Sequence, residues 1–283
     1  LYHDMGLIAA WLSCLYYGLP LVVMSPLAFL SRPSRWLWAI HRHRGTLSGG
    51  PNFAYELCLR KIDDPEIAGL DLSSWRFAFN GAEPVNPDTL TRFAERFAQF
   101  GLRREALAPV FGLAEASVGL AFPPPGRGLV VDRVRRAPLE RSGQALPADP
   151  EDASALPFVA CGRPLPGHQV RIVDAAGFEL PDRRVGRLEF QGPSATRGYF
   201  RNPDDTRRLF HGDWLDTGDY AYLADGDVYL TGRAKDVIIR GGRNYYPYAL
   251  EQAVGELPGV RHGCVAAFGV PDPDAGTERL VVV

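Results

Sequence analysis

Three short stretches put carboxylates where they could do chemistry. In "LDTGDY" Asp216 and Asp219 flank a glycine. Such a pair is either a solvated turn or a carboxylate held to accept both hydrogen bonds of a vicinal diol such as a ribose. In "FGLAE" Glu115 ends a strand-like run and starts a helix-like one. It is either an acid favoured at a helix start or a ligand for metal-bound phosphate at the edge of a cleft. "NGAEP" (80–84) closes another strand-like run. Ligands of open α/β sheets bind where strands end, although a plain strand-to-helix turn would use the same residues. The fourth feature is a cation: Lys235 is one of two lysines among 283 residues, in a chain that otherwise uses arginine. The other, Lys61, ends an amphipathic segment as a surface charge.

The elements that would position these groups alternate at first. "LPLVVM" and "RFAFNG" are compact apolar runs of the kind found in buried parallel strands. "RPSRWLWAIHRHR" and "NFAYELCLRKI" carry helical periodicity between them. "NPDTLTRFAERFAQF" predicts a helix with Asn86 as N-cap, Pro87 at its first position, Leu90, Phe93, Ala94 and Phe97 on one face, and Gly101 at its end. Residues 122–156 are rich in proline, arginine and acids, and predict a surface excursion with little structure. After Gly162 short strands such as "HQVRIVD", "GRLEFQG" and "DVYLTG" follow one another. A strand, a helix ("PYALEQAVGEL") and a strand ("VAAFGV") come after Lys235. The expected class is therefore α/β: a parallel sheet with flanking helices, then a small β-barrel-like subdomain, then the start of a small C-terminal α/β domain.

Composition removes several classes of function. A net charge of −2 gives no general basic field for nucleic acid. Cys14, Cys58, Cys161 and Cys264 lie far apart without metal spacing, which fits a reducing cytoplasm rather than a disulfide framework or a zinc site. Met5 to Met24 is uncharged, but Gly18 and Pro20 interrupt it and no basic leader precedes it, so neither a membrane span nor a signal peptide is expected. The chain starts at Leu1 and stops in the strand-like "RLVVV", and so reads as a piece of a longer protein.

"LYHDMGL", "NGAEP", "FGLAE", "GRLEFQG", "LDTGDY" and "GRAKD" occur in that order along the chain. Together they resemble the adenylate-forming superfamily of acyl-CoA synthetases, adenylation domains and luciferases. "SGGPNFAYELC", "LDLSSWRFAFNGAEPV", "GLAEAS" and "GRNYYP" are more specifically similar to the fatty acyl-AMP ligases that feed polyketide and lipid synthases. "YPYALE" departs from the ligase pattern after that proline. The resemblance divides the chain into a sheet part (1–121), a polar insertion (122–160), a β-rich subdomain (161–234), and a hinge with the truncated start of a small domain (235–283).

It also implies roles. His3 would gate the acyl-phosphate junction. Gly81, Ala82 and Glu83 would line the adenine and Phe111 would stack on it, in place of the usual tyrosine. Gly112 and Ala114 would lie in the phosphate turn, where Ala114 replaces the usual threonine. Glu115 would approach Mg²⁺ on the ATP phosphates. Asp219 and Arg233 would hold the ribose hydroxyls, with Leu230 near the base. Gly49, Gly50 and Pro51 would form part of the acyl pocket, and Lys235 would be the interdomain hinge, exposed in both states.

The implied reaction activates a medium-to-long-chain fatty acid with ATP and Mg²⁺ as acyl-AMP, and passes it to the phosphopantetheine thiol of an acyl carrier protein or polyketide synthase. The pyrophosphate-clasping loop and the transition-state lysine would lie upstream of Leu1 and downstream of Val283, so this piece alone is expected to be inactive. Two other readings stay open. One is an acyl-CoA synthetase or amino-acid adenylation domain; the other is a non-catalytic remnant that binds nucleotide or a partner.

Overall fold

The computed structural model describes residues 3–261, 263–272 and 277–283. The chain forms two compact units. One comprises Leu1–Val130, Val159–His168 and Gly192–Tyr199, the other Val131–Phe158, Gln169–Gln191 and Phe200–Val283.

The first unit is built on a parallel sheet whose strand order is Leu47–Gly50, Phe77–Asn80, Leu107–Pro109. Gly50 pairs with Asn80, and Asn80 with Pro109, so all three strands stop at one level. The helices Ser34–His43, Asn52–Lys61 and Pro87–Ala98 supply the apolar faces that cover this sheet. The last starts as its sequence predicts: Asn86 Oδ1 accepts from the Asp88 and Thr89 amides at 2.8 and 3.3 Å, and Pro87 needs no such partner. Its Leu90, Phe93, Ala94 and Phe97 are buried beside Tyr55 and Trp75. Edge-to-face ring pairs join this core, Tyr55 to Phe93 at 4.9 Å and Trp36 to Trp75 at 5.2 Å.

The amino-terminal stretch departs from expectation. Met5–Leu12 is a π-helix and Ser13–Tyr17 a short α-helix ended by Gly18 in the left-handed region. "LPLVVM" is irregular rather than a buried strand, and Leu19, Leu21, Val22 and Val23 are exposed. Its hydrophobicity suits a strand, but among the described residues it meets no strand partner, and the parallel sheet holds only the three strands above. No helix of the described residues is long and apolar enough to cross a membrane.

The second unit carries a five-stranded antiparallel sheet. Gln169–Val173, Gly186–Gln191 and Trp214–Ala224 lie side by side, and the last also pairs with Phe210–His211 and Asp227–Arg233. Asp225 and Gly226, both at positive φ, make the two-residue turn of that final hairpin.

Residues 122–156 are not the unstructured excursion expected from their composition. Val131–Val134 is a strand, Arg136–Ser142 a helix, and Val134, Leu139, Ala145 and Leu156 are buried. The four are too widely spaced to show a period in the sequence, and their burial comes from tertiary packing. The chain after Lys235 forms the hairpin Ile238–Arg240/Arg243–Tyr245, the helix Pro247–Gly255 and the pair Ala267–Asp272/Thr277–Val282.

Candidate active site

Because the three parallel strands end together, "SGGPN", "NGAEP" and "PVFG" leave the sheet at the same carboxyl edge, which is where such sheets bind ligands. Pro51 caps the helix Asn52–Lys61, and the Glu83 carboxylate accepts from the Phe53 amide at 2.6 Å in its first turn. Gly49–Pro51, expected in an acyl pocket, and Gly81–Glu83, expected beside an adenine, are thus brought together. Gly49 has a packing role of its own. A Cβ there would fall 2.1 Å from the Phe79 carbonyl oxygen, so the space beside it is filled by the neighbouring strand. Ala82 sits at φ 69°, a left-handed conformation rare outside glycine.

Sequence reasoning missed the pair beneath these turns. Asn52 Oδ1 accepts from Asn80 Nδ2 at 3.3 Å and from the Asn86 amide at 3.1 Å, while Asn80 Oδ1 is buried without a partner.

Phe111 is held by a two-way backbone bridge to Ala121, both bonds 2.9 Å, and its residue is only 7% exposed. Beyond Gly112, Glu115 lies in a single 3-10 turn, Ala114–Ala116, rather than at the start of an α-helix. Ser117 and Val118 follow at φ 51° and 85°. A β-branched residue there costs about 1–3 kcal/mol and persists only where neighbours over-determine it. Residues 194–199 fix the three residues before Val118. Ser117 Oγ donates to the Ser194 carbonyl at 3.0 Å, and Ser194 Oγ to the Ala116 carbonyl at 2.8 Å. The Thr196 amide donates to the Glu115 carbonyl at 2.7 Å, and the Tyr199 hydroxyl to Glu115 Oε1 at 2.6 Å. Ser194, Thr196 and Tyr199 were not singled out from the sequence, where only "QGPSATRGYF" after a strand marks them.

In the second unit "LDTGDY" is neither a turn nor a loop. It is a bulge inside the strand Trp214–Ala224, where the pairing to Gly186–Gln191 shifts between Asp216 and Tyr220. Gly218 supplies the φ of 75° that the bulge requires. The two carboxylates separate in role. Asp216 is consumed structurally, paired with Arg187 and accepting from the Gly218 amide at 2.9 Å. Asp219 is buried, takes Arg233 Nε on Oδ1 at 3.2 Å, and keeps Oδ2 buried with no partner. Burial raises its carboxyl to about 6, against the opposing pull of Arg233 and Thr217. Such an oxygen, beside a half-exposed guanidinium, fits a sugar hydroxyl as donor.

Leu230 is half-buried on the paired strand opposite Ala221. Lys235 is exposed in the turn after Arg233, which the Ala234 amide ties back to the Gly218 carbonyl at 2.9 Å. His3 is exposed and bonds locally, to Asp4 and the Met5 amide, so it is not a core histidine. Among the described residues no group of three or more His, Cys, Asp or Glu side chains could hold a metal. A Mg²⁺ at Glu115 would take one carboxylate oxygen from the chain and the rest of its octahedron from phosphates and water, which suits this ion.

The family model described as "AMP-binding enzyme" matches residues 1–200. The medium-chain-fatty-acid–[acyl-carrier-protein] ligase JamA of Moorena producens is 41% identical over all of this chain and 49% of its own length. A putative acyl-CoA synthetase of Caulobacter vibrioides is 40% identical over all of the chain and 49% of its own. A solved structure from work on fatty acyl-adenylate ligases of E. coli and L. pneumophila superposes with a TM-score of 0.93 at 38% identity, over 99% of this chain and 50% of that one. The chain spans about half the length of the curated relatives it matches.

Proposed function

The chain belongs to the AMP-binding enzyme family, and from that premise we propose that the full-length protein is a fatty acyl-AMP ligase that loads a carrier protein. The observation that carries the nucleotide part is Asp219, a buried carboxylate with an unclaimed oxygen beside Arg233. It receives the ribose hydroxyls, and Arg233 adds a second polar contact. Glu83 and the Gly81–Ala82 backbone line the base, on which Phe111 offers an apolar ring. Lys235 is the hinge, its exposed turn able to change φ/ψ at little cost in solvation.

The reaction runs in two steps. A carboxylate oxygen of a medium-to-long-chain fatty acid attacks the α-phosphorus of ATP, and pyrophosphate leaves with the electron pair of the broken P–O bond. A thiol sulfur then attacks the acyl carbon, the acyl C–O bond breaks, AMP leaves with that pair, and the thiol proton passes to solvent. Mg²⁺, when bound, neutralises charge on the phosphoryl oxygens. The chain's own residues orient the nucleotide and exclude water.

The choice of a carrier-protein thiol over coenzyme A is supported by 131–158. The helix Arg136–Ser142 packs against Arg243–Tyr245, just beyond the Lys235 turn, and Phe158 meets the buried Tyr246 edge-on at 6.4 Å. A segment holding the chain beyond the hinge restricts the rotation that a free coenzyme A would require. None of the four cysteines forms a disulfide, which supports a reducing, cytoplasmic setting.

The deciding experiment supplies the full-length protein with ATP, Mg²⁺ and a medium-to-long fatty acid, with and without coenzyme A, and identifies products by mass spectrometry. Acyl-AMP with little acyl-CoA is expected. Abundant acyl-CoA would replace this reading with an ordinary synthetase, in line with the name of the Caulobacter relative. Neither product with any acid would leave a nucleotide-binding remnant.

A further inference from the structure

We propose that Tyr199 is a positioning residue for Glu115, and that 194–199 is a fixed platform holding this carboxylate toward metal-bound ATP phosphates. The inference rests on the reading of Glu115 as the acid that faces those phosphates. Glu115 and Tyr199 lie 84 positions apart in sequence, yet the phenol hydroxyl donates to Oε1 at 2.6 Å. An exposed Tyr–Glu pair on mobile side chains would be worth little. Here the main chains of both partners are fixed.

On the Glu115 side, the carbonyl accepts from the Thr196 amide at 2.7 Å, Ser117 Oγ donates to the Ser194 carbonyl at 3.0 Å, and Ser194 Oγ donates to the Ala116 carbonyl at 2.8 Å. On the Tyr199 side, the preceding turn is closed by Thr196 Oγ1, which accepts from the Gly198 amide at 3.2 Å and donates to its carbonyl at 3.1 Å. Ser194 Oγ lies 2.7 Å from His168 Nε2 as well. With Oε1 engaged, Oε2 is the oxygen left to face a cation, and the carboxylate plane is set before any ligand arrives. Outer partners of this kind typically change metal affinity by about 10–100-fold when removed.

The test compares Tyr199→Phe, Glu115→Gln and the double variant in the full-length protein. Calorimetry measures affinity for a non-hydrolysable ATP analogue with Mg²⁺ and with EDTA, and acyl-AMP formation is followed against Mg²⁺ concentration. Tyr199→Phe should weaken the Mg²⁺-dependent part of analogue affinity by about tenfold. Its affinity in EDTA, its KM for fatty acid and its Tm should stay unchanged. In the Glu115→Gln background it should add nothing. If Glu115→Gln keeps wild-type Mg²⁺ dependence, the reading of Glu115 falls. If Glu115→Gln is impaired while Tyr199→Phe is silent or additive, the positioning role alone is overturned. Equal losses with Mg²⁺ and with EDTA would show a merely structural tyrosine and also overturn it.

Discussion

Asp219 and Arg233 face one another across paired strands, Nε 3.2 Å from Oδ1, and the other carboxylate oxygen stays buried without a donor. Burial outweighs the arginine, and the carboxyl is raised to about 6 from its ordinary 3.8. A raised carboxyl favours the folded state when protonated. Its contribution is therefore complete below about pH 4 and lost as pH climbs through about 6, a change of about 3 kcal/mol at most. The stability of wild type relative to Asp219→Asn should fall over that window, as measured by denaturant titration at pH 4, 6 and 8. A flat difference would mean the carboxyl is solvated.

Ribose hydroxyls would supply the missing donors and favour the ionised form, so nucleotide binding should expel a proton from Asp219. Calorimetry of ATP binding near pH 5.5, in two buffers of different ionisation enthalpy, reads that proton directly. Wild type should release more than Asp219→Asn, and the difference between them cancels the nucleotide's own titration. Affinity should also drop in Asp219→Asn, by about ten- to a hundredfold for a hydrogen bond to a charged group. Equal proton counts would remove Asp219 from the ribose site.

Gly218 makes this geometry possible, since its φ of 75° shapes the bulge between the two aspartates. Gly218→Ala should cost about 1 kcal/mol through left-handed backbone strain, and should weaken nucleotide binding more than it lowers Tm. A silent Gly218→Ala would show that the bulge tolerates Cβ and that Asp219 is placed by other contacts.

Much of this was legible where chemistry is local. Asn86, Pro87 and the Leu90, Phe93, Ala94 and Phe97 face specify a helix that the structure shows with that cap and that buried face. The "LDTGDY" bulge was hidden because a bulge borrows turn residues while remaining inside an 11-residue strand. "LPLVVM" misled for the converse reason, since a strand is defined by neighbours that hydrophobicity does not name. The Tyr199–Glu115 and Asn52–Asn80 contacts join distant positions, and no pattern within either stretch announces them.

The cap on the Pro87–Ala98 helix gives a simple stability check. Asn86 Oδ1 serves two amides, at 2.8 and 3.3 Å, and the Asn86 amide in turn donates to Asn52. Asn86→Ala should destabilise by about 1 kcal/mol, and Asn86→Ser or Asn86→Asp by less. Thermal unfolding decides this, and equal losses for all three variants would mean that packing rather than capping sets the helix start.

The last prediction concerns the acceptor. Asp132, in the strand Val131–Val134, accepts from the Tyr222 hydroxyl at 2.7 Å and from Arg183 Nη1 at 2.9 Å. Tyr222 is buried and stacked on Tyr229 at 4.9 Å, and burial with the adjacent carboxylate holds its hydroxyl far above the ordinary phenol range, so it stays a donor. Arg183 also reaches the Ala145 carbonyl at 3.0 Å, so Asp132 is tied to the strand residue Tyr222 and Ala145 to the turn before Gly186–Gln191. Asp132→Ala would leave the buried Tyr222 hydroxyl without its acceptor and take one of two acceptors from Arg183 Nη1, at a cost of about 1–3 kcal/mol, and loosen the segment that packs against Arg243–Tyr245. Acyl-AMP formation should survive, because no nucleotide contact is touched, while the share of acyl-CoA formed with added coenzyme A should rise. Limited proteolysis would report the loosening independently. If the segment loosens and acyl-CoA stays at the wild-type level, this packing is not what excludes coenzyme A, and selectivity must reside in the thiol's own binding surface.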